Sequence, residues 1–184
     1  MTRLDPIPPQ VLDAEQTVLY RSIVEGPRAQ GPQHFALTRS DGALLGPFNA
    51  LLLSPGLGAA LQEVGAAVRY RTDLTPRTRE IAILIVAAHW DSSFERSAHE
   101  SVGRSVGLTE AELTDLRAGR VPQLDDVHER ACAQLTHAMV NGDVDDATWD
   151  DWAQQVGNAT VFELTTLVGY YATLALQMRV FRVG

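Results

Sequence analysis

The sequence predicts an all-α protein with one marginal β-hairpin near its N-terminus. Two observations carry the prediction. From Pro47 onward the chain reads as consecutive helices with legible starts, each opened by a capping residue or a proline. Only the stretch around Asp41-Gly42 gives a strand signal of any strength, a tight-turn pair between short apolar runs.

The elements follow in order. Pro8 and Pro9 precede a first helix whose apolar residues, Val11, Leu12, Val18, Leu19, Ile23 and Val24, recur at helical spacing. Gly26-Pro27 ends it, and residues 26–34 read as a loop. The hairpin candidate runs from Phe35 to Gly46. Ser54-Pro55 then starts a helix with Leu57, Leu61, Val64 and Val68 on one face. Thr75-Pro76 repeats the device ahead of Ile81, Leu84, Ile85 and Ala88, a run apolar on more than one side and so expected to be buried. Thr109 and Glu112 have the spacing of a capping box. A helix from Leu124 to Val140 closes at Asn141-Gly142, another from Asp145 to Val156 closes at Gly157-Asn158, and the last runs from about Ala159 to Met178. The expected organisation is one domain over residues 1–184, with 1–46 as an N-terminal helix and hairpin extension and 47–184 as the helical core.

Composition narrows the function. Hydrophobic residues make up 45% and charged residues 21%, ordinary for a globular chain with a full core. The formal net charge of −8 argues against a nucleic-acid footprint and an anionic membrane surface, both of which need basic patches. Cys132 is the sole cysteine, so an internal disulfide and Cys-x-x-Cys chemistry are excluded; a small buried hydrophobe is the expected role. The N-terminus lacks an apolar signal region, and Val161 to Met178, which contains Glu163, reads as a core helix rather than a membrane span. A cytoplasmic location is the resulting expectation.

The chemistry gathers between Glu80 and His99. Glu80 falls in the first turns of the buried-looking helix, where a carboxylate has a raised proton affinity unless paired; Arg77 and Arg79 are its nearest partners in sequence. Asp91-Ser92-Ser93-Phe94-Glu95 sits where that helix stops and the next begins. Ser92 and Glu95 have capping-box spacing, and Glu95 and His99 share a helix face one turn apart. Two carboxylates and an imidazole at one junction suit general acid/base work, although a cap and a solvated Glu–His pair have the same pattern. His89 reads as a C-terminal cap, beside Trp90. His34, His128 and His137 have no recognisable partner spacing. The metal-ligand spacings, the phosphate-binding loop and the Gly-x-Ser-x-Gly elbow are absent, so neither metal nor cofactor is expected.

From Leu45 onward the chain resembles the carboxymuconolactone decarboxylase family, within the wider alkylhydroperoxidase D-like superfamily. The marks are Gly46-Pro-Phe-Asn-Ala-Leu-Leu-Leu-Ser-Pro55, Thr75-Pro-Arg-Thr-Arg-Glu-Ile-Ala-Ile-Leu84, Phe94-Glu95 with His99, Gly107-Leu108, and Glu163-Leu-Thr-Thr-Leu-Val-Gly-Tyr-Tyr171. The resemblance implies an alkylhydroperoxidase D-like helical fold and assembly as a homotrimer or homohexamer. Redox members carry a glutamate, a Cys-x-x-Cys pair and a histidine; the glutamate and histidine match Glu80 and His99, while Ser92 and Glu95 stand at the cysteine positions. Serine and carboxylate cannot exchange a disulfide, so the resemblance is to a non-redox branch and thiol-dependent peroxide reduction is disfavoured. The family's named reaction removes carbon dioxide from a small lactone acid without a cofactor. His99, oriented by Glu95, would deliver the proton, with Glu80 tuning or replacing it. Arg79, Arg96 or Arg104 would bind carboxylates, and Ser92, Phe94 and Trp90 complete the substrate-contacting set. The rival reading is a non-catalytic ligand-binding or assembly protein on the same scaffold.

Overall fold

The computed structural model describes residues 2–30 and 34–183; residues 31–33 of the expected loop lie outside the described residues. The fold is all-α. Its helices are α1 (Ala14–Val24), α2 (Pro47–Leu51), α3 (Pro55–Tyr70), α4 (Pro76–His89), α5 (Ser93–Ser105), α6 (Glu110–Arg117), α7 (Val127–Val140), the short α8 (Asp146–Thr148) and α9 (Gln154–Phe181). The chain divides into two compact units, Met1–Arg71 with Leu174–Gly184, and Thr72–Thr173.

In the first unit, Leu19 and Ile23 of α1 pack with Leu37, Leu44, Phe48, Leu51 and Leu52. Asp13 and Gln16 cap α1 reciprocally, so the helix starts later than the Pro8-Pro9 signal suggested, and those prolines open only a 3₁₀ turn. The expected hairpin reduces to one antiparallel bridge, Thr38 to Leu44, with Leu45 N–H donating to the Leu37 carbonyl. Two short arms without a third strand do not sustain a ladder. Helix α3 is rotated relative to the sequence expectation. Its buried positions are Gly58, Gly65 and Val68, while Leu57 is 69% exposed and Val64 also faces solvent. Gly58 explains the rotation: a Cβ there would stand 2.3 Å from the Leu51 carbonyl oxygen and 2.8 Å from Leu19 Cδ2, so this bare backbone is the point of closest approach. Val11 and Val18, expected on the α1 core face, are likewise exposed.

The second unit is built on α4, whose residues Glu80 to Ala87 are all buried. Helices α5, α6 and α7 pack against it. Ile81, Leu84 and Ile85 of α4 meet Leu108, Leu113, Leu116, Leu124 and Ala133. The Thr75 hydroxyl accepts from Thr78 N–H and Pro76 takes the first helical position, as the sequence suggested. Arg77 ties three segments to α4: its guanidinium donates to Glu112 of α6, to Glu129 of α7 at 3.0 Å and to the Gly107 carbonyl at 2.6 Å. A π-helical turn, Trp149–Ala153, links α8 to α9. Gly157, at φ 80° and ψ 160°, breaks the start of α9 where the sequence placed a helix end. By length and composition the run Asp146–Phe181 is apolar enough to cross a bilayer. Its buried positions Leu164, Leu167, Tyr170 and Tyr171 nevertheless recur on one face, and Glu163 accepts from the Asp73 N–H at 3.1 Å, as in a core helix.

Candidate active site

The site begins with the entry into α4. Proline and cap fix the first turn at Thr75-Pro76, which puts Glu80 in the second turn on a fully buried face, with no solvent exposure. The chain leaves α4 through Asp91, a left-handed residue at φ 49°, a conformation aspartate tolerates better than most. This reversal starts α5 at Ser93, so that Glu95 and His99 both lie on its buried side.

Glu80 and His99 meet across the α4–α5 contact. Glu80 Oε2 and His99 Nδ1 are 2.6 Å apart, in a pair whose side chains are 0% and 6% exposed. A carboxylate at that distance favours the neutral tautomer protonated at Nδ1, which makes Nε2 the acceptor nitrogen of the ring. On the far side of the carboxylate, Arg79 Nε stands 3.7 Å from Oε1. Tyr171 of α9 sets its ring edge-on to the imidazole, 5.2 Å between centroids, and Tyr170 meets Tyr171 in the same way. The histidine is thus fixed by a hydrogen bond from one helix and an aromatic wall from another.

Glu95 differs from the sequence expectation. It does not orient His99, because neither of its carboxylate oxygens has a hydrogen-bond partner. It does not close a capping box either: Ser92 stands at the N-cap position of α5, but its side chain makes no capping bond. Glu95 is 3% exposed, and burial pushes its carboxyl up to about 8; the nearby Ser92 hydroxyl, outside hydrogen-bond geometry, only partly opposes this.

The arginines separate. Arg79 joins Glu80, whereas Arg77 is committed to Glu112 and Glu129. Arg96 pairs with Asp91 at 3.4 Å and lines a shallow depression with Leu84, Ala88, Leu113, Leu116 and Arg117, away from the Glu80–His99 contact. Arg104 reaches Glu110 and Glu100 on the surface. Phe94 and Trp90 are half-buried at the junction, and the Trp90 ring lies beside that of His89.

Two relationships were not anticipated. Tyr171 belongs to the site, and its signal was the buried periodicity of Leu164, Leu167 and Tyr171, far from His99 in sequence. His128 does have a partner, the Cys132 thiol one turn on, at 3.7 Å. Cys132 is buried, and burial, with Glu129, Asp126 and Glu163 adding to it, pushes its thiol up to about 12. The thiol therefore stays protonated and is a poor nucleophile. Among the described residues, no group of three or more His, Cys, Asp or Glu side chains is placed to hold a metal ion.

These features define an all-α protein with a buried carboxylate–imidazole pair at a helix junction. Residues 55–138, the segment that holds Glu80, Glu95 and His99, match the carboxymuconolactone decarboxylase family. No curated protein matches the chain.

Proposed function

We propose that the protein is a cofactor-independent acid/base enzyme acting on a small carboxylated or lactone-like substrate, by decarboxylation or a related proton transfer. The single observation that supports this best is the buried Glu80–His99 hydrogen bond of 2.6 Å. Loss of carbon dioxide leaves an electron pair that a lactone carbonyl can accept, so the protein's task is to hold the leaving carboxylate and return a proton to carbon. His99 is the proton carrier in this reading, Glu80 holds its tautomer, and Arg79 is the carboxylate-binding group. Ser92 and Glu95, standing where redox members carry a thiol pair, support a reading within the non-redox branch.

The test is carbon-dioxide release over a panel of unsaturated lactone acids. Silence across the panel, or full turnover by His99→Ala, refutes the reading. The burial of Glu80 and His99 favours one alternative, a non-catalytic ligand-binding or assembly protein on the same scaffold. We also propose a cytoplasmic homo-oligomer, a trimer or hexamer. Phe162, Leu176 and Val180, exposed along α9, support self-association. Sedimentation at low micromolar concentration tests it, and a monomer mass refutes it.

A further inference from the structure

Glu95 has no part in the Glu80–His99 pair, yet it is almost as deeply buried. It lies one turn before His99, 3% exposed, with neither oxygen hydrogen-bonded. An ionised carboxylate in that position forgoes hydration worth several kcal/mol, which the nearby Ser92 hydroxyl offsets only in part. The neutral acid does not carry that penalty, and the Ser92 hydroxyl, the one nearby group that acts on it, is not hydrogen-bonded to it.

The charge balance agrees. The titratable and charged groups in or beside the Glu80–His99 contact are Arg79 and Glu80 of α4, Arg96 and His99 of α5, and Tyr170 and Tyr171 of α9; Arg77, Glu100 and Arg104 are engaged in ion pairs elsewhere. Arg96 is drawn off by Asp91. Arg79 and Glu80 offset one another, so an ionised Glu95 would leave the site negative and hostile to a carboxylate. A neutral Glu95 leaves it even.

We propose that Glu95 is a neutral carboxylic acid whose hydroxyl is the hydrogen-bond donor for an anionic oxygen of the ligand. The site thereby takes a small organic carboxylate, and takes it only while that proton is in place. The proposal rests on the functional reading above for the location of the ligand, and it adds the residue that admits the anion.

Two measurements test it without requiring turnover. In protein labelled with carboxyl-¹³C glutamate, the signal lost in Glu95→Gln is followed by NMR through a pH titration. The expected midpoint is near 8. A midpoint in the ordinary carboxylate range overturns the proposal and leaves the decarboxylase reading, judged on carbon-dioxide release, untouched. Maleate and benzoate then serve as probes in calorimetric titrations at about pH 6.5 and about pH 9.5. Wild type is expected to bind a probe at the lower pH and about tenfold or more weakly at the higher. Glu95→Gln, whose amide donates at every pH, is expected to bind alike at both, and Glu95→Leu at neither. Binding by wild type that ignores pH, binding kept in Glu95→Leu, or no binding of either probe at the lower pH overturns the proposal. If these results hold and no lactone acid is turned over, the decarboxylase reading alone falls.

Discussion

Glu80 and His99, nineteen positions apart in sequence, share a 2.6 Å hydrogen bond in the contact between α4 and α5, and the Tyr171 ring packs nearly perpendicular to the imidazole. If His99 carries the proton, His99→Ala should lower the chemical step about 10²–10⁴-fold, the range for a general acid or base. Glu80→Gln should cost less, because the amide can still face Nδ1 but no longer stabilises an imidazolium. Single-turnover rates on a substrate from the lactone-acid panel check the ordering. A Glu80→Gln loss exceeding that of His99→Ala would make the carboxylate the proton carrier.

Glu95 predicts a pH dependence of stability with a definite sign. Its folded-state value is raised from 4.5 to about 8, so between those limits the unfolded chain releases this proton and the folded protein keeps it. Stability from this group is complete at the acid end, is lost as pH rises through the window, and levels off above about 8. The slope approaches about 1.4 kcal/mol per pH unit. Glu95→Gln should flatten it, giving a variant more stable than wild type near pH 9 and little different near pH 4.5. Parallel urea melts across the range provide the comparison, and identical wild-type and variant profiles would contradict the burial argument.

The framework was legible wherever local chemistry decides it. Thr75-Pro76, Thr109 with Glu112, and Gly157 each mark a terminus through one backbone requirement, and each stands where the sequence placed it. The faces were less legible. Periodicity put Leu57 and Val64 inward on α3, but Gly58 needs contact with Leu51 and turns the helix otherwise. The same limit applies at the junction. Spacing on α5 suggested a Glu95–His99 pair, since residues one turn apart share a face. The partner His99 takes is Glu80, which stands on another helix, and a long-range pairing of this kind leaves no periodic trace.

Cys132 should be inert in the native protein. Its thiol is 1% exposed and pushed up to about 12. Labelling by a disulfide reagent should proceed at the rate of unfolding, and peroxide loss with any thiol reductant should match the blank in wild type and in Cys132→Ser. Rapid labelling at neutral pH, or turnover that disappears in Cys132→Ser, would require a cysteine chemistry that this burial opposes.

Gly58 gives a packing test in the first unit. A methyl group at this position meets the Leu51 carbonyl oxygen at 2.3 Å, and a backbone atom cannot rotate aside. Gly58→Ala should therefore destabilise by about 1–3 kcal/mol, the usual cost of overpacking, although alanine is the better helix former. Gly56 lies two residues earlier with open space around its Cβ position. Gly56→Ala is the control and should be neutral or mildly stabilising. Equal effects from the two substitutions would remove the close approach as the reason for the α3 rotation.

Arg77 is the corresponding test in the second unit, because one guanidinium serves Glu112, Glu129 and the Gly107 carbonyl together. The three side chains are only 26%, 13% and 14% exposed, so the pairs are not ordinary surface ion pairs. Arg77→Ala removes the shared cation and leaves two half-buried carboxylates facing each other's field. A loss of about 2–4 kcal/mol is expected, toward the range for breaking a buried pair. Lysine can supply the charge, but its donors all sit on one nitrogen and cannot span the acceptors that Nε, Nη1 and Nη2 reach separately, so Arg77→Lys should recover only part of it. The double variant Glu112→Gln with Glu129→Gln relieves the stranded carboxylates. On the Arg77→Ala background it should restore stability. Chemical denaturation of the four proteins measures this, and additive losses would show that Arg77 acts through its alkyl packing rather than its charge.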